Sequence, residues 1–84
     1  MSSTTMTFDN LKDIMSRCTG ETEDLTEEHL GRDFTEIGYD SLAVLEIASQ
    51  IQREYGLQIP DEAIEEMNSP QAVIDYVNSS LAAA

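Results

Sequence analysis

Apolar residues recur along this chain mostly at intervals of three and four, and only one short stretch alternates. Phe8, Leu11, Ile14, Met15 and Cys18 form a helical stripe that Thr7 can cap and Gly20 can end. From Leu42 to Tyr55 no Gly or Pro intervenes, which suits a second helix of about four turns. At 100° per residue, Val44, Ile47, Ala48, Ile51 and Tyr55 share an arc about 100° wide, the expected core stripe. Glu46, Ser49, Gln50 and Arg53 fill the opposite face; Leu42 lands in its middle and Leu45 beside its edge. Gly56 stops this helix. Asp61 can cap a short helix running to Met67, with Ile64 and Met67 on one side. Ser69-Pro70 then starts a last helix, with Ser as N-cap and Pro where its missing N–H costs nothing; Val73, Ile74, Val77 and Leu81 line it. Leu57-Gln58-Ile59-Pro60 alternates like a strand but is too short and isolated to make a sheet. The predicted fold is all-α: a small bundle of three main helices and one short helix, with a long loop between helices 1 and 2.

That loop, from Gly20 to Asp40, is too long for an idle connection and should carry function or structure of its own. Leu25, Leu30, Phe34 and Ile37 could pin it to the core. Where it meets the second helix stands Gly38-Tyr39-Asp40-Ser41-Leu42. Gly38 permits turn geometry that side chains forbid, and Asp40 is a preferred N-cap. Ser41 becomes the first helical residue, its hydroxyl at the surface of a helix start that favours negative charge and would tolerate a phosphate ester. The apolar Leu42 pointing outward beside it reads either as a docking contact or as an ordinary exposed leucine.

Length and charge narrow what such a serine can do. Eighty-four residues make one domain, 1–84, with a small core and a Ser/Thr-rich start (1–6) expected to fray. Seventeen acidic residues against four basic ones leave a net charge of −13. Duplex nucleic acid and anionic membranes repel such a chain, whereas proteins with basic patches meet it faster. The lone Cys18 fits a reducing cytoplasm, no apolar run reaches the ~20 residues of a membrane span, and the start lacks a signal peptide's pattern. The expectation is a monomeric, cytoplasmic domain.

Catalytic and metal readings find no support. The residues around Ser41 do not form a G-x-S-x-G elbow, and the only histidine, His29, lies among Glu27, Glu28 and Asp33 as an expected solvated surface residue. Cys18 and His29 have no paired metal-ligand spacing, and the acidic clusters lack the alternation and central Gly of a calcium loop. Cys18, in register with Ile14, reads as a small core residue. Asn78, four residues after Ile74, borders an apolar face and either reaches solvent or meets a cargo or partner.

Three segments, in order, resemble an acyl carrier protein over nearly the full length. They are Asp40-Ser41-Leu42 preceded by Gly38, Ile59-Pro60-Asp61-Glu62, and Ile74-Asp75-Tyr76-Val77-Asn78. The resemblance implies a non-catalytic carrier whose Ser41 receives 4′-phosphopantetheine from coenzyme A, through a magnesium-dependent phosphopantetheinyl transferase. Acyl intermediates then ride as thioesters on the arm. Asp40, Leu42, Leu45 and Glu46 become the docking edge. Ile51, Ile59, Ile64, Met67 and Val73 fall where the family lines an acyl cleft, though they serve equally well as ordinary core.

Typical fatty-acid carriers place acidic residues directly after the Asp-Ser-Leu motif and late in that helix. Here those positions are Ala43 and Gln52-Arg53-Glu54. The run Ile37 to Ala43, with Ser69-Pro70 and Asn78, looks more like carriers of type II aromatic polyketide synthases. That likeness implies malonyl and growing poly-β-ketone cargo, with a ketosynthase/chain-length-factor pair, a malonyl transferase and a ketoreductase or cyclase as partners. Asn78 becomes a candidate contact for the poly-β-ketone. A fatty-acid or peptidyl carrier, and an acidic helical module without a prosthetic group, stay open as alternatives.

Overall fold

The structure is a computed structural model, described for residues 5–19 and 26–83; the expectations for residues 1–4, Gly20 and Leu25 lie outside them. Its elements are α1 (Phe8–Thr19), α2 (Ser41–Tyr55), α3 (Asp61–Glu66) and α4 (Pro70–Ala83), with two 3₁₀ turns, Glu27–His29 and Phe34–Ile37, in the α1–α2 connection. No strand occurs among the described residues. The expected bundle is the observed one.

Local chemistry sets most boundaries. Thr7 and Asn10 cap α1 reciprocally: the Asn10 N–H donates to Thr7 Oγ1 (3.2 Å) and the Thr7 N–H to Asn10 Oδ1 (3.0 Å). Gly56 ends α2 with φ +66°, a left-handed conformation that side chains disfavour. Ser69 Oγ accepts from the Ala72 N–H at 3.2 Å, capping α4 as expected. At α3 the cap is Pro60, not Asp61. Extended at φ −66°, ψ 155°, Pro60 presents its carbonyl to the N–H groups of Ala63 (2.9 Å) and Ile64 (3.1 Å). Asp61 is thereby drawn into the first turn, where a carboxylate favours the helix dipole. The helix ends at Glu66, and Met67 caps it with its side chain buried.

α1 packs on α2 and α4, and α3 on α2. The core joins Leu11, Ile14 and Met15 of α1 to Ile47, Ala48 and Ile51 of α2 and to Val73, Ile74 and Val77 of α4. Val44 and Tyr55, at the edges of the predicted stripe, are half-buried. The expectation of fraying fails at Met6, which is only 2% exposed. Its N–H donates to Asn78 Oδ1 (2.6 Å) and its carbonyl accepts from Asn78 Nδ2 (3.0 Å), so the polar residue of α4 clamps the entering chain.

The long connection is also anchored by its backbone. The Phe34 N–H donates to the Asn68 carbonyl (2.8 Å) and the Gln71 N–H to the Leu30 carbonyl (2.9 Å), tying it to the α3–α4 junction. Its side chains Leu30, Phe34 and Ile37 pack on the core as expected. His29 is not a merely solvated residue: its Nδ1 accepts the Thr26 N–H at 3.0 Å, capping the first 3₁₀ turn.

Candidate functional site

The second 3₁₀ turn delivers the chain to Ser41. Asp33 opens it, its carboxylate accepting from the Thr35 N–H (2.9 Å) and Thr35 Oγ1 (2.7 Å). These bonds hold the Asp33 carboxyl below the usual carboxylate range, so it stays charged. Gly38 closes the turn at φ +90°, which redirects the backbone into Tyr39 and Asp40. The Tyr39 ring is buried edge-on to Phe34, centroids 6.0 Å apart at 65°. That aromatic pair fixes the approach to α2.

Asp40 caps α2 as expected: its carboxylate accepts from the Ala43 N–H at 2.9 Å, while its carbonyl accepts from the Val44 N–H at 3.1 Å. The Ser41 and Leu42 N–H groups belong to the first turn, which the helix cannot pair internally. Ser41 is exposed, as are Asp40 and Glu46. Leu42 is 64% exposed and Leu45 44%, the two large apolar side chains that the described residues leave outside. Against Ile47, Ala48 and Ile51 on the same helix, all buried, this is the split that the angular pattern predicted.

Beside Ser41 runs a groove of about 660 Å³ between α2, α3 and the second 3₁₀ turn. Its apolar lining comes from Phe34, Tyr39, Val44, Leu45, Ile64 and Met67. Of the residues expected at an acyl cleft, the structure thus brings Ile64 and Met67 to the serine. Ile51, Ile59 and Val73 lie in the closed core, at most 4% exposed. Asn78 does not line this groove, and each end of its amide bonds to Met6. Phe34, Tyr39 and Val44 were not legible as groove residues. Phe34 and Val44 carried only core signals, and the Asn68 bond that seats Phe34 has no local signature.

The far end of α2 is held on two sides. Arg17 pairs with Glu54 at 2.7 Å and with Asp13 at 3.1 Å, while Gln50 Nε2 donates to Glu54 Oε2 at 2.9 Å. Gln52 Oε1 accepts the Ile59 N–H at 3.0 Å, a structural use of a position notable in the sequence only for its lack of charge. Cys18 is half-buried with its thiol toward the Glu46 carbonyl (3.8 Å), and burial pushes its pKa up, as suits a packing residue. No group of three His, Cys, Asp or Glu residues placed to hold a metal ion occurs among the described residues.

The family profile described as a phosphopantetheine attachment site matches residues 9–77. The chain is 39% identical over 83 residues to the actinorhodin polyketide synthase acyl carrier protein of Streptomyces coelicolor, covering 96% of each chain. The chain belongs to the acyl carrier protein family. It is also 42% identical to the granaticin polyketide synthase acyl carrier protein of Streptomyces violaceoruber, over 94% of this chain and 95% of that one. Its fold superposes on the solution structure of the 3-oxo-butyl form of the actinorhodin carrier with a TM-score of 0.85, at 36% identity and 99% coverage of both chains. Acyl carrier proteins receive a covalent 4′-phosphopantetheine and do not themselves catalyse, so the chain is a carrier and not an enzyme. The carrier's exposed hydroxyl at a helix start, beside an open groove with apolar walls, is an accessible attachment point for such a group. No helix among its described residues is long and apolar enough to cross a membrane.

Proposed function

We propose that Ser41 carries the 4′-phosphopantetheine and that the protein serves a type II polyketide synthase in the cytoplasm. The observation that carries this reading is the exposed Ser41 at the head of α2, opening on the groove and lying inside the matched region. Ser41 Oγ attacks the pantetheine-bearing phosphorus of coenzyme A and gives up its proton to the transferase; the pyrophosphate P–O bond breaks and 3′,5′-adenosine bisphosphate leaves, while the first-turn N–H groups favour the charge of the new phosphodiester. The bound arm supplies a terminal thiol that holds acyl groups as thioesters. Asp40, Leu42, Leu45 and Glu46 form the edge on which partners dock. Leu42 and Leu45 contribute apolar contact there, and the rest of that face is polar with few carboxylates. A shuttle must leave each enzyme quickly, which a small polar interface allows.

The relatives' polyketide service supports malonyl and poly-β-ketone cargo. It equally supports a malonyl transferase, a ketosynthase/chain-length-factor pair, and a ketoreductase or cyclase as partners. Incubation with coenzyme A, magnesium and a broad-specificity phosphopantetheinyl transferase should raise the intact mass by one phosphopantetheinyl group, and Ser41→Ala should abolish the gain. A gain that survives Ser41→Ala refutes the assignment. Reconstitution with polyketide and fatty-acid ketosynthases should give extension with the former; extension only with the latter overturns the branch.

A further inference from the structure

The groove beside Ser41 has a charge as well as a shape. Its rim carries Asp33, Asp40, Asp61 and Glu65, and no Lys, Arg or His lines it. Asp33 is held charged by its bonds to Thr35. The carrier's few cations lie elsewhere. Lys12 and Arg17 are on α1, and Arg17 spans to Glu54 at 2.7 Å. Arg32 leans toward Glu36 at 3.8 Å, and Arg53 lies with Arg17 in a separate depression on the other side of Leu45. Between the carboxylates the walls are apolar: Phe34, Val44, Ile64 and Met67.

We propose that this groove selects cargo by charge, admitting uncharged acyl chains borne on Ser41 and excluding chains that end in a carboxylate. The inference rests on Ser41 as the attachment residue. An uncharged chain gains apolar contact in the groove. A terminal carboxylate would enter a site with four like charges and no counter-ion, and would also lose its water. Carboxylated cargo is therefore displayed in solvent, and cargo that has lost its carboxylate can be sheltered. Asp33, Asp61 and Glu65 are the specificity-determining residues, since Asp40 is also occupied as the cap of α2.

The test compares two six-carbon cargoes that differ at the far end, hexanoyl and adipoyl, each loaded from its coenzyme A thioester. Intact mass verifies loading, so a carrier that gains no mass refutes the Ser41 assignment and not the selectivity. Backbone amide shifts of Val44, Ile64 and Met67 at pH 7 are then read against the cargo-free holo carrier. Hexanoyl should move them and adipoyl should leave them unmoved. In the triple variant Asp33→Asn, Asp61→Asn, Glu65→Gln, adipoyl should move them as hexanoyl does. Equal shifts from both cargoes on the unaltered carrier, no shift from hexanoyl, or continued exclusion of adipoyl by the neutralised groove each overturns the proposal. If the triple variant loses the hexanoyl response, Glu65→Gln alone decides: any gained adipoyl response supports the proposal, and none overturns it.

Discussion

The two ends of α2 are built to opposite specifications. At the Tyr55 end, Ile47, Ala48 and Ile51 are sealed in the core, Glu54 is tied to Arg17, and Gln52 secures the segment that follows. At the Ser41 end, Ser41, Leu42 and Leu45 stand outside, and the adjoining space is a groove instead of packed side chains. One helix thus holds its reactive hydroxyl still from the far end while leaving the near end free for partners. Stability and function are segregated along a single element, which a mutation can expose.

The largest break comes from the sealed end. Ile51→Ala removes a fully buried side chain from the meeting of α1, α2 and α4, and should cost about 2–5 kcal/mol in denaturant unfolding. Leu42→Ser is the converse. It should leave unfolding within about 0.5 kcal/mol of the unaltered protein, because the side chain is mostly in water already. If Leu42 anchors partners, turnover by a partner enzyme should fall about tenfold at sub-saturating carrier, the cost of losing an interface contact worth about 1.4 kcal/mol. Should Leu42→Ser unfold the carrier as Ile51→Ala does, the contrast between the ends is false.

The smallest effect sharpens the groove end. Asp33 has a carboxyl pKa lowered by Thr35, so its contribution is fully present above the ordinary carboxylate value and is lost as pH falls through its folded value. The stability difference between the unaltered carrier and Asp33→Asn should stay level from pH 7 to about 4 and close below it. A difference that instead widens on acidification would mean that Asp33 stabilises the turn through something other than its charge.

Much of this division can be read along the chain. The 3.6-residue period separates Ile47, Ala48 and Ile51 from Leu42 and Leu45; Asp40 and Ser69 mark their helix ends through bonds to near neighbours, and Gly56 through its left-handed φ. Such features are local, so spacing carries them. The groove depends on Phe34 meeting Asn68 and Tyr39, and the bundle's closure on Asn78 meeting Met6. Partners so distant along the chain leave no periodic trace. Asn78 is the clearest case: its neighbours in sequence say nothing about an amide bound to Met6. Pro60 is the local exception. Asp61 has the composition of a cap, yet the proline's extended backbone and carbonyl take that place.

The Met6–Asn78 clamp joins residues 72 positions apart and so nearly closes the described chain into a ring. Its timing follows from that span. On the ribosome, Met6 has no amide to receive it until Asn78 in the last helix has left the exit tunnel. Native burial of the first segment therefore waits on synthesis of the last, and a chain interrupted within α4 before Asn78 would expose Met6 as a handle for quality control.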